Sequence, residues 1–199
     1  FKPPTGIAIK IEAGPVRGGG FLSLEPEIGQ YAGALQLSVK EINLSAIGVI
    51  NTMLPDGRQG YSFLIIIAAE FPSIPLSFGF ALNGVGGLIG IHRRMETQAL
   101  SDKVSQGTLA SILFPKDPVG RMQAVIADLS TIFPIQEGRF VFGPMVKLTW
   151  GPSALLTLEL AVILDLPSPL RLAILGRMRL VLPTEKEALA DIRLDVAGI

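Results

Sequence analysis

Residues 154–182 read ALLTLELAVILDLPSPLRLAILGRMRLVL, and this stretch decides the fold class. On its first arm Leu156, Leu158, Leu160, Val162, Leu164 and Leu166 share one face, with Thr157, Glu159 and Asp165 on the other. The second arm sets Leu170, Leu172, Ile174, Met178, Leu180 and Leu182 against Arg171, Arg177 and Arg179. Period-two alternation of this kind is the mark of a strand with one buried face. Pro167-Ser168-Pro169 interrupts it where a turn is needed, because proline fixes φ and cannot donate to a ladder. A hairpin centred on Ser168 pairs Asp165 with Arg171 and Glu159 with Arg177, and sets Leu166 facing Leu170. Opposite charges across a ladder contribute only about 0.2–1 kcal/mol per pair. Their value is in register, since a one-residue slip would carry every leucine to the other face. The leucine face is expected to be the inner one.

Working outward, the same alternation returns at Ile7, Ile9 and Ile11, and at Tyr31, Leu35, Leu37 and Val39, read as inward with Gln36, Ser38 and Lys40 outward. Gly18-Gly19-Gly20 reads as a break in the pattern. A further run covers 41–54 and ends at Pro55-Asp56-Gly57, where proline presets φ and glycine is free to take positive φ. Residues 61–71 are apolar on both faces, Phe63, Ile65 and Ile67 against Leu64, Ile66 and Ala68, as a central strand covered on both sides requires. Strand pattern resumes at Arg139 with Phe140, Phe142, Met145 and Trp150, and again at Ala190, Ile192, Leu194 and Val196. Between 95 and 134 the period changes. Asp117-Pro118 is a helix start, and Val119, Met122, Val125, Ile126, Leu129, Ile132 and Phe133 recur at three and four, with Pro134 after the end. A weaker helical pattern covers 96–113, with Leu100, Val104, Leu109, Ile112 and Leu113 apolar and Gly107 interrupting it. The expected fold is mainly β: long antiparallel strands in a meander, sandwich or curved open sheet, with a helical insertion at 95–134, hence α+β by content.

Composition bounds the partners. Hydrophobic residues make up 49% and charged residues 17%, with mean hydropathy +0.50, against about 25% charged in an ordinary soluble domain. Such a chain buries an extensive core or has apolar surface covered by something else. Seventeen basic and seventeen acidic residues leave no net field to draw nucleic acid or an anionic membrane. Without cysteine there is no disulfide framework and no thiolate chemistry. Residues 71–91 are 21 uncharged positions, about the length that spans a bilayer. Pro72, Pro75, Asn83 and Gly84, Gly86, Gly87 and Gly90 argue instead for a buried strand followed by a tight glycine loop. Starting at Phe1 and ending within an alternation at Ile199, the sequence is expected to be one β-rich domain, 1–199, cut from a longer chain.

Chemistry is sparse. Gly84-Val85-Gly86-Gly87-Leu88-Ile89-Gly90 departs from a dinucleotide fingerprint, whose third glycine would fall at Ile89. His92 is the only histidine. With Arg93, Arg94 and Glu96 it forms the one polar cluster that an active site would use, Glu96 being placed to orient the imidazole. A zinc site would need three carboxylates beside that histidine, and no G-x-S-x-G elbow marks a nucleophile. Neither a catalytic set nor a metal or cofactor is assigned.

Several strings taken together are more distinctive: Arg17-Gly18-Gly19-Gly20-Phe21-Leu22, Phe78-Gly79-Phe80 with Gly84-Val85-Gly86-Gly87-Leu88, Ile112-Leu113-Phe114-Pro115 leading to Asp117-Pro118, Phe142-Gly143-Pro144-Met145, and Thr149-Trp150-Gly151. In this order, over 17–183, the chain resembles an uncharacterised bacterial domain-of-unknown-function family found in large multi-domain proteins. The resemblance implies bacterial origin, cytoplasmic or exported, and a longer parent chain. It implies no activity and no site residues. Three readings follow. The first is a non-catalytic structural or interaction module that meets its parent chain or another β-rich protein through strand edges. The second is a hydrophobic-ligand or lipid-binding groove lined by Leu156, Leu158, Leu160, Leu172 and Ile174. The third is an enzyme with its site at His92, Arg93, Arg94 and Glu96. Where the helices lie decides whether the leucine face is filled or open.

Overall fold

The structure, a computed structural model, describes residues 5–106, 112–151, 154–182 and 190–198. Ten strands form one antiparallel sheet, each pairing with its neighbours in sequence. They are β1 (Gly6–Ala13), β2 (Val16–Glu25), β3 (Gln30–Val39), β4 (Ile42–Met53), β5 (Gln59–Pro75), β6 (Phe80–Arg93), β7 (Ile135–Trp150), β8 (Leu156–Leu166), β9 (Arg171–Leu182) and β10 (Ala190–Gly198). Between β6 and β7 lie α1 (Thr97–Ser105) and α2 (Met122–Ile132). The fold is thus the mainly β meander with a helical insertion that the alternation implies, as an open sheet. In the β8–β9 ladder Asp165 is opposite Arg171 and Glu159 opposite Arg177, the register expected from the turn.

The helices cover one face. Their side chains Leu100, Met122, Val125, Ile126, Leu129 and Ile132 join one buried cluster with Ala34, Ile47, Ile66, Leu88, Ile163 and Leu175 from the strands. The opposite face has no cover among the described residues, and this inverts the expected sidedness. On β8 the buried positions are Glu159, Ala161, Ile163 and Asp165, whereas Val162 and Leu166 are exposed. On β9 Ala173 and Leu175 are buried while Leu172 and Ile174 stand on the open side. The leucines are therefore not the inner face. The charged face of the hairpin carries small and branched apolar residues at its middle, enough to seat helices. Alternation alone cannot say which of two apolar faces is covered. The same inversion applies to Tyr31, Leu35 and Leu37, which lie opposite Ala32 and Ala34, the buried residues of β3. Likewise β5 is covered on one side only: Leu64 and Ile66 are fully buried, while Ile67 is 50% exposed.

Three boundaries shift. Gly18-Gly19-Gly20 lies inside β2. A Cβ at Gly18 would stand 2.1 Å from the Gln36 carbonyl oxygen, and one at Gly20 2.9 Å from that of Ala34. The glycines let this strand press against its neighbour rather than break it. Residues 84–90 are likewise strand, within β6, and not a loop after one; the 71–91 stretch is the end of β5, a turn and most of β6. α2 starts at Met122 rather than at Pro118, because Asp117 takes φ +50° and spends its carboxylate on the Gly120 N–H at 3.0 Å. α1 ends at Ser105, and Gly107 and Leu109 lie outside the described residues.

Candidate functional site

The antiparallel ladders carry side chains of matched parity straight across the sheet. One such row on the open side runs Leu22, Gly33, Gly48, Ile65, Ile89, Phe142, Leu164 and Leu172. The next runs Ile9, Gly20, Leu35, Ala46, Ile67 and Gly87. Along β1 to β10 the described open-face positions bear no Asp, Glu, Lys or Arg. Polar character is confined to the rims, with Tyr31, Tyr61 and His92 at one end of the strands and Trp150 at the other. Phe142 is 50% exposed and Ile174 52%. Every strand carries at least one large hydrophobic that is more than a third exposed, so the uncovered patch far exceeds the few hundred Å² of an ordinary monomer. Two apolar hollows lie in it. One, about 430 Å³, sits over β2 to β5 and includes Leu22, Gly33, Gly48, Ile50 and Phe63. The other, about 350 Å³, lies between Ile67, Val85, Gly87, Ile89 and Phe142. The five residues expected to line a groove, Leu156, Leu158, Leu160, Leu172 and Ile174, all belong to this face, at its β8–β9 end. The larger hollow begins three strands away, at β5. It went unseen in the sequence because its floor is glycine and alanine, which register as breaks in alternation rather than as a surface.

The polar cluster comes apart. β6 and β7 shift register between Ile91 and Arg93, and His92 takes φ +54°, the signature of a bulge that re-aims side chains. The His92 ring lies on the open-face rim, edge-on to Tyr61 at 4.8 Å between centroids and 6.1 Å from Phe140. Its Nδ1 accepts the Gly138 N–H at 2.8 Å. Arg93 points through to the helix side, 1% exposed. There it donates to the Phe133 carbonyl at 3.0 Å and to the Asn51 side-chain oxygen. Burial lowers its pKa to about 10. Arg94 pairs with Glu96 at 2.8 Å on the surface. The imidazole therefore has a backbone donor and two aromatic rings around it, not an orienting acid.

The buried charges are elsewhere. Asp165, with no exposed surface, accepts from Arg139 Nε at 2.8 Å and from the Met95 N–H at 3.0 Å. Arg171, its ladder partner, donates to the Met95 carbonyl instead, at 3.0 Å. Further along the helix face Glu70, Lys147, Glu159, Arg177 and Asp195 alternate in sign across β5 to β10. Burial pushes the Glu159 carboxyl up, against the pull of Lys147 and Arg177. No group of three or more His, Cys, Asp or Glu among the described residues is placed to hold a metal ion. No described helix is long and apolar enough to cross a membrane.

Comparison with known protein families matches residues 1–199 to DUF6603, a family of unknown function, and the chain belongs to it. Neither curated proteins nor solved structures give a match.

Proposed function

We propose that this DUF6603 domain is a non-catalytic interaction module of a larger bacterial protein, and that its open sheet face docks on another apolar sheet. The observation that carries this reading is the sidedness of the fold. Among the described residues all helical cover goes to one face, and a charge-free apolar face ten strands wide is left uncovered. At about 4.8 Å per strand that face extends roughly 43 Å, wide enough for an interface of the obligate kind, about 2,000 Å² or more. Sheets stack face to face at about 10 Å with interdigitated side chains, and ridges such as Ile65–Ile89–Phe142 alternate here with glycine-floored hollows. The two hollows favour a second reading, in which acyl chains of a lipid occupy the face.

Native mass spectrometry on gently purified protein, followed by solvent extraction and lipid analysis, separates the two. A self-associated or partner-bound species without lipid supports docking; a near-stoichiometric acyl lipid moves the assignment to lipid binding. Ile67→Glu and Leu172→Glu, both at exposed positions, then release the occupant while leaving the circular dichroism spectrum unchanged. A lipid-free monomer that stays monodisperse at high concentration and binds no hydrophobic dye overturns both readings.

A further inference from the structure

On the helix side, beyond the helical cover, a cavity of about 490 Å³ is lined by Lys116, Arg121, Lys147, Arg177, Arg179 and Arg193, with Thr157 and Glu159. It is separate from the open face. Four strands, β7 to β10, and the insertion converge on it, and the charge they bring is not what a self-contained ion-pair lattice needs. Arg179 stands directly across the ladder from Arg193, an arrangement that destabilises a sheet by itself. One carboxylate, Asp191, bridges both arginines, at 3.2 Å and 2.9 Å. Lys147 is shared between Glu70 and Glu159, and Arg177 between Glu159 and Asp195. Among the described residues these four acids serve these four cations. Lys116 and Arg121, added from the insertion and both exposed, have no ion-pair partner among the described residues.

The acid within the lining is the second clue. Glu159 is 6% exposed, and its Oε2 accepts no hydrogen bond. Arg177 is 3.8 Å from it, too far to donate. A buried acceptor left unpaired costs free energy, so a ligand that fits must bring anionic oxygens for the cations and one donor for Glu159. Inorganic phosphate, which at pH 8 is mainly HPO4²⁻ and keeps one last proton, has both.

We propose that this cavity binds inorganic hydrogen phosphate, with its oxygens on the surrounding arginines and lysines and its proton given in a hydrogen bond to Glu159. Guanidinium groups suit the tetrahedral oxyanion because their N–H pairs bind two oxygens at once. Sulfate is the discriminating probe: it has the same shape but carries no proton at neutral pH, so against an ionised Glu159 it leaves two acceptors facing each other.

Isothermal titration calorimetry at pH 8 with inorganic phosphate and with inorganic sulfate tests this. Phosphate binds and sulfate does not. Arg121→Ala and Lys116→Ala each weaken phosphate by about tenfold, the loss of one charge-assisted contact, with circular dichroism unchanged. Glu159→Gln, which replaces the acceptor by a side chain that can also donate, gains sulfate binding; wild type gains it on acidification as Glu159 protonates. Glycerol 3-phosphate, a monoester that has lost its last proton at pH 8, behaves as sulfate does and does not bind. Absence of phosphate binding at millimolar phosphate overturns the proposal, as do glycerol 3-phosphate binding as tight as inorganic phosphate at pH 8 and phosphate affinity indifferent to Arg121 and Lys116. Equal affinity for sulfate and phosphate in wild type at pH 8 removes Glu159 from the site.

Discussion

Asp165 ties the insertion to the sheet, since one carboxylate neutralises Arg139 and receives the Met95 N–H at the point where the chain leaves β6 for α1. Removing one member of a buried pair leaves the other charged and unsolvated. Asp165→Ala is therefore expected to cost about 3–5 kcal/mol in urea unfolding. Arg93 behaves differently, because its guanidinium is held by a carbonyl and an amide rather than an acid. Arg93→Met keeps the bulk and gives up a charge already disfavoured by burial, but it leaves the Phe133 carbonyl and the Asn51 side-chain oxygen without their donor, so it costs about 1–3 kcal/mol rather than the larger loss at Asp165. Asn51→Ala leaves the guanidinium short of an acceptor and costs about 1–3 kcal/mol in the same measurement. Two carboxylates set opposite pH slopes. Asp191, hydrogen-bonded by Arg193 and Arg179, is held at about 2 against an ordinary 3.8. The folded state then binds fewer protons than the unfolded one, so the Asp191 contribution is complete above pH 3.8 and disappears as pH falls through 2. Glu159 has its pKa raised from 4.5 by burial. There the unfolded chain ionises first, so stability falls as pH rises from 4.5 toward the folded value. Urea midpoints against pH should lose the acid-side slope in Asp191→Asn and the slope above 4.5 in Glu159→Gln. A slope unchanged by its variant would refute the assignment.

At the scale of elements, what was legible follows from chemistry local to the chain. The β8–β9 register was readable because a proline-bounded turn and cross-strand charges specify it together. α2 was readable from its apolar period, although its start was not. Asp117 in a left-handed conformation caps a turn before the helix, and a sequence does not announce which role a carboxylate will take. The glycine strands were illegible for a different reason. Glycine lacks the side chain that alternation counts, so Gly18-Gly19-Gly20 and 84–90 read as gaps. Their backbones in fact run closest to their neighbours, with Gly86 leaving only 2.8 Å between a built Cβ and the Ile67 carbonyl oxygen. Gly18→Ala should thus destabilise by at least about 1–3 kcal/mol through overpacking, whereas Gly14→Ala, in the open β1–β2 turn, meets no atom within 4 Å and suffers only the strain of its positive φ. Thermal unfolding of the two variants compares the effects directly. The residues at 92–96 do not converge for a reason of the same local kind, since one bulge at His92 sends adjacent side chains to opposite faces.

For the molecule as a whole, the sidedness of the sheet is the property that no single strand could reveal. Both faces of the central strands are apolar, and only the insertion, threaded between β6 and β7, chooses one of them. The uncovered face then carries a built-in reporter. Trp150, the one tryptophan in the chain, lies at its rim, 42% exposed, with its ring 6.4 Å from Phe80 and its indole N–H donating to the Phe78 carbonyl at 3.0 Å. Anything that covers the face to its edge moves this indole out of water. When the apolar occupant is bound, Trp150 emission should shift to the blue and become resistant to quenching by acrylamide. Ile67→Glu, far across the sheet from the indole, should reverse both changes by expelling the occupant. Saturating phosphate, bound on the other side among Lys116, Arg121 and Glu159, should leave the spectrum as it was. A blue shift on phosphate addition would mean that the two faces are coupled through the sheet. An occupant that binds without moving Trp150 would confine the contact to the β2–β5 hollow and exclude docking over the full width of the face.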